Sequence, residues 1–289
     1  MRRCVRCAAT WVECDWVCAR CGHAPKSADG VLRFAPELDS GTGYNDAFFS
    51  TLASLEAGHF WFEGRNALII WSMRRFLPGC ASFLEIGCGT GFVLRGLREA
   101  FPAMALSASE VSVAGLAFAK LRLRDGVYYQ MDARNIPFEC EFDGVGAFDV
   151  LEHVDDDERA MAETYRAIRP GGCFVVTVPQ HGWLWTDVDA RSHHVRRYSR
   201  RDLEGKLRGA GFEIAWSTSF MTLLLPLIVA SRFAGVKPGG GCAVEGELRI
   251  GTMANRACAA AFAIERAAIR AGMTFPIGSS LLMVARRPR

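Results

Sequence analysis

The chain has little lysine, no excess of charge of either sign and no apolar stretch long enough to span a bilayer. Lys+Arg 34 against Asp+Glu 31 leaves a formal charge of +3, too weak for charge alone to argue a nucleic-acid binder. The longest apolar run, Met221 to Ala230, contains Pro226 and is closed by Arg232, well short of the ~20 residues of a spanning helix. The start, Met1-Arg-Arg-Cys-Val-Arg-Cys7, carries charge with no apolar run behind it, which predicts no secretory signal and a cytoplasmic location. No internal repeat is evident. With 50% apolar and 22% charged residues, the 289-residue chain has too much hydrophobic material for a disordered protein and predicts one large domain with an appendage, or two domains.

Cysteine is present but unevenly spread: of 11 in the chain, five crowd into the first 21 residues. That clustering points to metal rather than to a secreted disulfide scaffold. Cys4-Val-Arg-Cys7 and Cys18-Ala-Arg-Cys21 are two C-x-x-C knuckles, and four thiolates so spaced suit tetrahedral zinc. Cys14 is an alternative ligand, and redox cysteines or a knuckle that has lost its metal are the competing readings. With sulfur at every position no site stays open, so the zinc would be structural.

Residues 1–30 read as a zinc-ribbon-like module, and 31–76 as a surface linker followed by N-terminal lid helices, the latter from Leu55 to Phe76. Residues 77–289 read as a Rossmann-like domain with a helical insertion at about 219–275. From Ala81, short apolar runs alternate with amphipathic segments, the pattern of a mostly parallel, seven-stranded α/β sheet with helices on both faces. Strands are predicted at Ser82–Ile86, Ala103–Ser107, Val127–Met131, Val145–Val150, Cys173–Val178, Phe212–Ser217 and Ser280–Ala285. Helices fall between them. Pro170-Gly171-Gly172 is expected to stop the helix that begins at Asp156.

The junction of the first strand and helix reads Glu85-Ile-Gly87-Cys88-Gly89-Thr-Gly91. Alternate glycines bend the backbone and let a ligand approach without Cβ interference. Phe92 stands where a dinucleotide fingerprint would place its last glycine, which counts against nicotinamide. Each later strand ends in a polar residue at the sheet's carboxyl edge, where open α/β sheets bind ligands. Glu110 can accept both hydroxyls of a ribose or stand as a helix N-terminal acid. Asp132 can take an exocyclic amine or shape a turn.

Taken in order, these residues resemble the class I S-adenosylmethionine-dependent methyltransferases. Glu85 to Gly91 resembles the family's first motif, Glu110 its ribose acid and Asp132 its adenine-side acid. Leu151-Glu152-His153-Val154 resembles the segment after strand four, and Arg169-Pro170-Gly171-Gly172 the turn before strand five. Together they cover residues 80–180. His59-Phe60-Trp61-Phe62-x-x-Arg65-Asn66, His194-Val-Arg-Arg197-Tyr198 and the ending from Pro276 resemble a bacterial small-molecule subgroup of such enzymes. The resemblance thus accounts for the whole chain.

It implies S-adenosylmethionine as cofactor, besides the structural zinc. The implied contacts are the amides of Gly87, Cys88, Gly89 and Gly91, with Glu85 in the same motif; Glu110 and Val111 at the ribose; Asp132 and Ala133 at the adenine; and Phe148 or Val150 as apolar wall. Arg65 is the candidate cation for the methionine carboxylate. His153, His181 and His194 are candidate bases, with His193 a fourth, because imidazole suits neutral pH. His59, Trp61, Trp183, Arg197 and Tyr198 are expected around the acceptor. The expected reaction is methyl transfer to a small or moderately apolar metabolite, oxygen favoured over carbon or nitrogen.

Two other functions compete. The ribbon with Arg2, Arg3, Arg6, Arg20, Trp11 and Trp16 would suit docking on ribosomal RNA by a base methyltransferase. A degenerate fold would instead make a non-catalytic zinc-binding partner protein. Phe220 to Ala230 is expected to cover the sheet or form a subunit contact, with a lipid-linked acceptor or peripheral membrane docking as the sharper alternative.

Overall fold

The computed structural model describes residues 1–13, 15–41, 46–233 and 249–289. Cys14 and residues 234–248 of the expected insertion lie outside the described residues. In chain order the elements are β1 (Arg2–Arg3), β2 (Thr10–Trp11), β3 (Lys26–Ala28), β4 (Val31–Arg33), α1 (Asp46–Glu56) and α2 (Phe60–Phe76). The Rossmann-like part follows with β5 (Ser82–Ile86), α3 (Phe92–Ala100), β6 (Ala105–Glu110), α4 (Val113–Arg122), β7 (Val127–Gln130), β8 (Phe142–Phe148), α5 (Asp157–Ala167) and β9 (Ile168–Pro179). It closes with α6 (Asp187–Arg191), α7 (Arg200–Gly209), β10 (Glu213–Phe220), α8 (Leu225–Phe233), α9 (Thr252–Arg270) and β11 (Ser280–Arg286).

The main sheet runs β10-β11-β9-β8-β5-β6-β7-β4-β3. β5 to β9 are parallel; β11 lies antiparallel between β9 and β10. Seven strands were expected, and the sheet holds nine because residues 26–33 fold as a hairpin whose β4 pairs parallel with β7. The hairpin turn, with Asp29 and Gly30 left-handed, falls where the sequence suggested the module ended. Strand β9 also starts earlier than expected: Gly171 and Gly172 exchange backbone hydrogen bonds with Arg287, at 2.8 and 2.9 Å, instead of ending a helix in a free turn. A Cβ on Gly172 would stand 2.5 Å from the Asp143 carbonyl oxygen, so glycine is required there.

Central strands are buried on both faces, as the near-continuous apolar run Phe174–Val178 demands. One face packs α2, α3, α4 and α9 through Leu68, Leu94, Leu116 and Phe262. The other packs α5 and α7 through Met161, Leu203 and Leu207. The strand order reverses between β5 and β8, where a crevice opens at the strands' carboxyl ends.

The cysteine module docks on this domain rather than hanging from it. The Arg2 guanidinium lies 4.2 Å over Trp16, whose ring meets Phe34 and Phe138 edge-on at 4.9 and 5.7 Å. The amides of Arg3 and Glu139 donate to the carbonyls of Pro137 and Met1 at 3.0 and 2.9 Å. Asn135 Nδ2 donates to the Val5 carbonyl at 3.0 Å. In the Phe220–Ala230 segment, Phe220, Met221, Leu224 and Leu225 are buried, while Leu223 and Leu227 are exposed. Among the described residues, no helix is long and apolar enough to cross a membrane.

Candidate active site

The crevice is a cavity of about 760 Å³. One wall is the sheet edge: Ile86 to Thr90, Glu110–Val111, Met131 to Arg134 and Phe148 to Val150. Phe48, Phe49, Trp61 and Arg65 from α1 and α2 line it as well. Gly87 is left-handed at φ 65°, and a Cβ there would stand 2.5 Å from Val150 Cγ2. Gly89 is also left-handed, at φ 51°, yet nothing lies within 4 Å of where its Cβ would be, so the loop leaves room beside its backbone.

Glu110 locks that loop. Its Oε2 accepts from the Gly89 amide at 3.1 Å and its Oε1 from the Val111 amide at 2.7 Å. Burial pushes its carboxyl up while these amides pull it back, with a net rise. Burial raises Glu85 and the Cys88 thiol well above their ordinary values. Asp132 lines the cavity beside Ala133 while its Oδ1 accepts from the Arg134 amide at 2.8 Å. Arg65, expected to await a carboxylate, already pairs with Asp149 and lies 4.3 Å over the Trp61 ring.

Several side chains essential to this wall escaped sequence reasoning. Glu56, the buried last residue of α1, accepts from Thr90 Oγ1 at 2.6 Å and pairs with Arg122. Asp149 is left-handed at φ 58° and accepts from Thr177 Oγ1 at 3.0 Å. The only local signals were a lone acid before the break at Gly58 for Glu56 and an acid directly after a strand for Asp149.

The opposite wall is formed by His153 to Asp155 and by Val188, Ser192, His193 and Val195. His153 lines the cavity and meets His194 edge-on at 4.7 Å between ring centroids. Burial and the neighbouring imidazole hold His153 down to about 4. His194 Nδ1 donates to Asp189 Oδ1 at 2.9 Å.

Other expected acceptor residues stand elsewhere, each for a physical reason. His59 caps α2, accepting from the Trp61 amide at 3.2 Å, and is not among the residues lining the cavity. Arg197 Nε donates to the buried Asp189 at 2.7 Å. Tyr198 is wholly buried, its hydroxyl donating to Asp157 Oδ2 at 2.6 Å. His181 lies outside the lining and stacks at 5.4 Å on Trp183, which is 60% exposed. Trp61 alone of the five expected acceptor contacts lines the cavity.

Residues 84–176 match the family model described as a methyltransferase domain. The O-methyltransferase cnsE of Penicillium expansum is 30% identical over 168 residues, covering 54% of this chain and 61% of that protein. A malonyl-[acyl-carrier protein] O-methyltransferase of Enterobacter lignolyticus is 31% identical over 152 residues, covering 50% and 58%. The matched part therefore spans about three-fifths of the length of these relatives. Among solved structures, phosphoethanolamine N-methyltransferase 2 of Haemonchus contortus, in complex with S-adenosylmethionine, superposes with TM-score 0.58 at 20% identity, covering 88% of this chain and 60% of that one.

Over residues 84–176 the chain thus matches a methyltransferase domain, and its fold is that of an S-adenosylmethionine-dependent methyltransferase. The cavity fits S-adenosylmethionine: open space beside Gly89, the half-buried acid Glu110 at the end of β6 and a guanidinium at Arg65. The cysteine cluster likewise fits a zinc ion. Cys4 and Cys21, and Cys7 and Cys18, stand 3.6 Å apart Sγ to Sγ, with all four thiols within 4.8 Å of one another. A tetrahedron with Zn–S bonds of ~2.3 Å sets sulfurs ~3.8 Å apart. The turns that present them are closed by backbone bonds from Ala8 and Gly22 to the Cys4 and Cys18 carbonyls, at 3.0 and 2.8 Å.

Proposed function

We propose that the protein transfers a methyl group from S-adenosylmethionine to an oxygen of a small or moderately apolar metabolite. One observation carries this reading: a single cavity joins the glycine loop and Glu110 on one side to His153 on the other, under the aromatic rings of Phe48, Phe49 and Trp61. Gly87 to Gly91, with Glu85, would hold the methionine part, Glu110 and Val111 the ribose, Asp132 and Ala133 the adenine, and Phe148 and Val150 the apolar face. Bound there, the sulfonium supplies an electrophilic methyl. The aromatic rings exclude water from the transfer. Arg65 answers the methionine carboxylate by sharing the guanidinium it now gives to Asp149. His153 stands where an acceptor hydroxyl would lie. Oxygen is favoured over nitrogen or carbon because curated relatives such as the two described are O-methyltransferases.

The RNA reading draws less support, because two of its four arginines face the protein. Arg2 lies over Trp16 and Arg3 pairs with Glu163 at 3.5 Å, leaving Arg6 and Arg20 exposed. The lipid-linked reading rests on exposed Leu223 and Leu227. A radiolabelled methyl donor, offered with a panel of hydroxylated metabolites and with ribosomal RNA, tests all three. Label in a hydroxylated metabolite is expected. Label in RNA alone would overturn the reading.

A further inference from the structure

Glu152 is completely buried, and no hydrogen-bond donor among the described residues reaches either of its carboxylate oxygens. The guanidiniums of Arg65 and Arg197, which could have paired with it, are bound to Asp149 and Asp189. An orphaned buried carboxylate is costly, and an absent ion is one of the few conditions that explains one. Glu152, His153 and His194 each offer a ligand atom, and these atoms lie within 4.8 Å of one another. Ligands held ~2.1 Å from one ion stand roughly 3–4 Å apart, so small side-chain rotations bring all three onto it.

The surrounding shell is built for ligation. His194 Nδ1 donates to Asp189, which leaves Nε2 as its ligand atom and matches the carboxylate–histidine pairs that orient metal-binding imidazoles. Asp189 is itself fixed, accepting from the Thr186 amide at 2.8 Å and from Arg197 Nε at 2.7 Å. The Val195 amide donates to the Glu152 carbonyl at 2.8 Å, tying the two segments together. His153 lines the cavity, so an ion on this cluster would border the acceptor space.

We propose that Glu152, His153 and His194 form a second metal site, distinct from the cysteine cluster, that takes a divalent first-row cation and leaves coordination positions facing the acceptor. Two imidazoles and one carboxylate are a donor set for such ions, with open positions for an oxygen ligand. A cation there lowers the pKa of a coordinated acceptor hydroxyl, whose proton passes to water. This last role rests on the oxygen-acceptor reading above; binding of the cation does not.

The full chain carrying zinc on its cysteines would be titrated with Co2+, followed by calorimetry and visible absorption. One further equivalent is expected, with the weak absorption of a nitrogen–oxygen site and without thiolate charge-transfer bands. Glu152→Gln, which keeps the shape and removes the charge, should abolish that equivalent. Asp189→Asn keeps all three ligands and should weaken it about 10–100-fold. Cys7→Ser should leave it in place. A melting curve on each variant separates site loss from unfolding. Uptake of cobalt only by exchange at the cysteines, or equal uptake by Glu152→Gln, would overturn the site. If cobalt binds but acetohydroxamate, a small bidentate oxygen ligand, leaves its spectrum unchanged, the acceptor role falls and the site alone stands.

Discussion

The two walls of the cavity are built on different principles. The wall proposed for the cofactor is made where consecutive parallel strands end, so its groups are fixed by backbone: three left-handed glycines after β5, an acid at the end of β6 and a turn after β7. The wall proposed for the acceptor is made where two loops, after β8 and after β9, are clasped by side-chain pairs. Asp189 gathers His194 and Arg197, and Asp157 gathers Tyr198, Arg196 and Lys206. A wall held by backbone puts its own contact residues into a motif. A wall held by side chains puts the supports there, and the contacts fall between them.

Substitutions should separate the walls. Gly87→Asp forces a side chain into left-handed backbone against Val150 and should weaken S-adenosylhomocysteine binding at least about 100-fold by calorimetry. Binding within a few-fold of wild type would break the backbone account. Stripping the cysteine cluster with a chelator should loosen the segment from Asp132 to Pro137, which leans on Val5 and Arg3, and cost roughly tenfold in the same affinity.

On the acceptor side the prediction inverts. Tyr198→Phe removes a buried hydrogen bond to a carboxylate and should cost about 1.5–3 kcal/mol of stability by denaturant unfolding, with cofactor affinity intact. A loss of methyl transfer without a loss of stability would return Tyr198 to the acceptor contacts.

The smallest effect concerns acid. Burial pushes the Asp157 carboxyl up, but hydrogen bonds from Arg196, Lys206 and Tyr198 outweigh it and hold it below the ordinary carboxylate range. Its stabilisation is therefore complete above the unfolded value near ~4 and is lost as pH falls through the lower folded value. Asp157→Asn should lower the melting temperature at neutral pH and narrow its gap from wild type as pH drops below about 4. A gap that stays constant with pH would detach Asp157 from the acid response.

The same contrast sets how much was legible in the sequence. Strands β5 to β11 follow from apolar runs alternating with helical faces, and the cysteine knuckles from local spacing. Strand β4 did not, because Val31-Leu-Arg33 is too short to show a period and is held by its pairing with Tyr128 to Gln130. The helix Asp46–Glu56 was read mostly as linker, although it brings Glu56 to Thr90. Tyr198 was misplaced for a related reason. Its partner Asp157 lies on another element, and nothing near position 198 announces it. The Glu152 cluster was half visible, since Glu152 and His153 are adjacent while His194 joins them only through the fold.

The hairpin of β3 and β4 has a consequence beyond docking the cysteine module. Without it, β7 would end the sheet with a row of unpaired amides and carbonyls, a template for strand addition by another molecule. The hairpin covers that row and offers in its place only the three-residue strand Lys26–Ala28, which opens with a lysine. Because its chain leads straight out of the cysteine knuckles, loss of zinc should uncover that border as well. A metal held there would then guard solubility, and precipitation on chelation would be its outward sign.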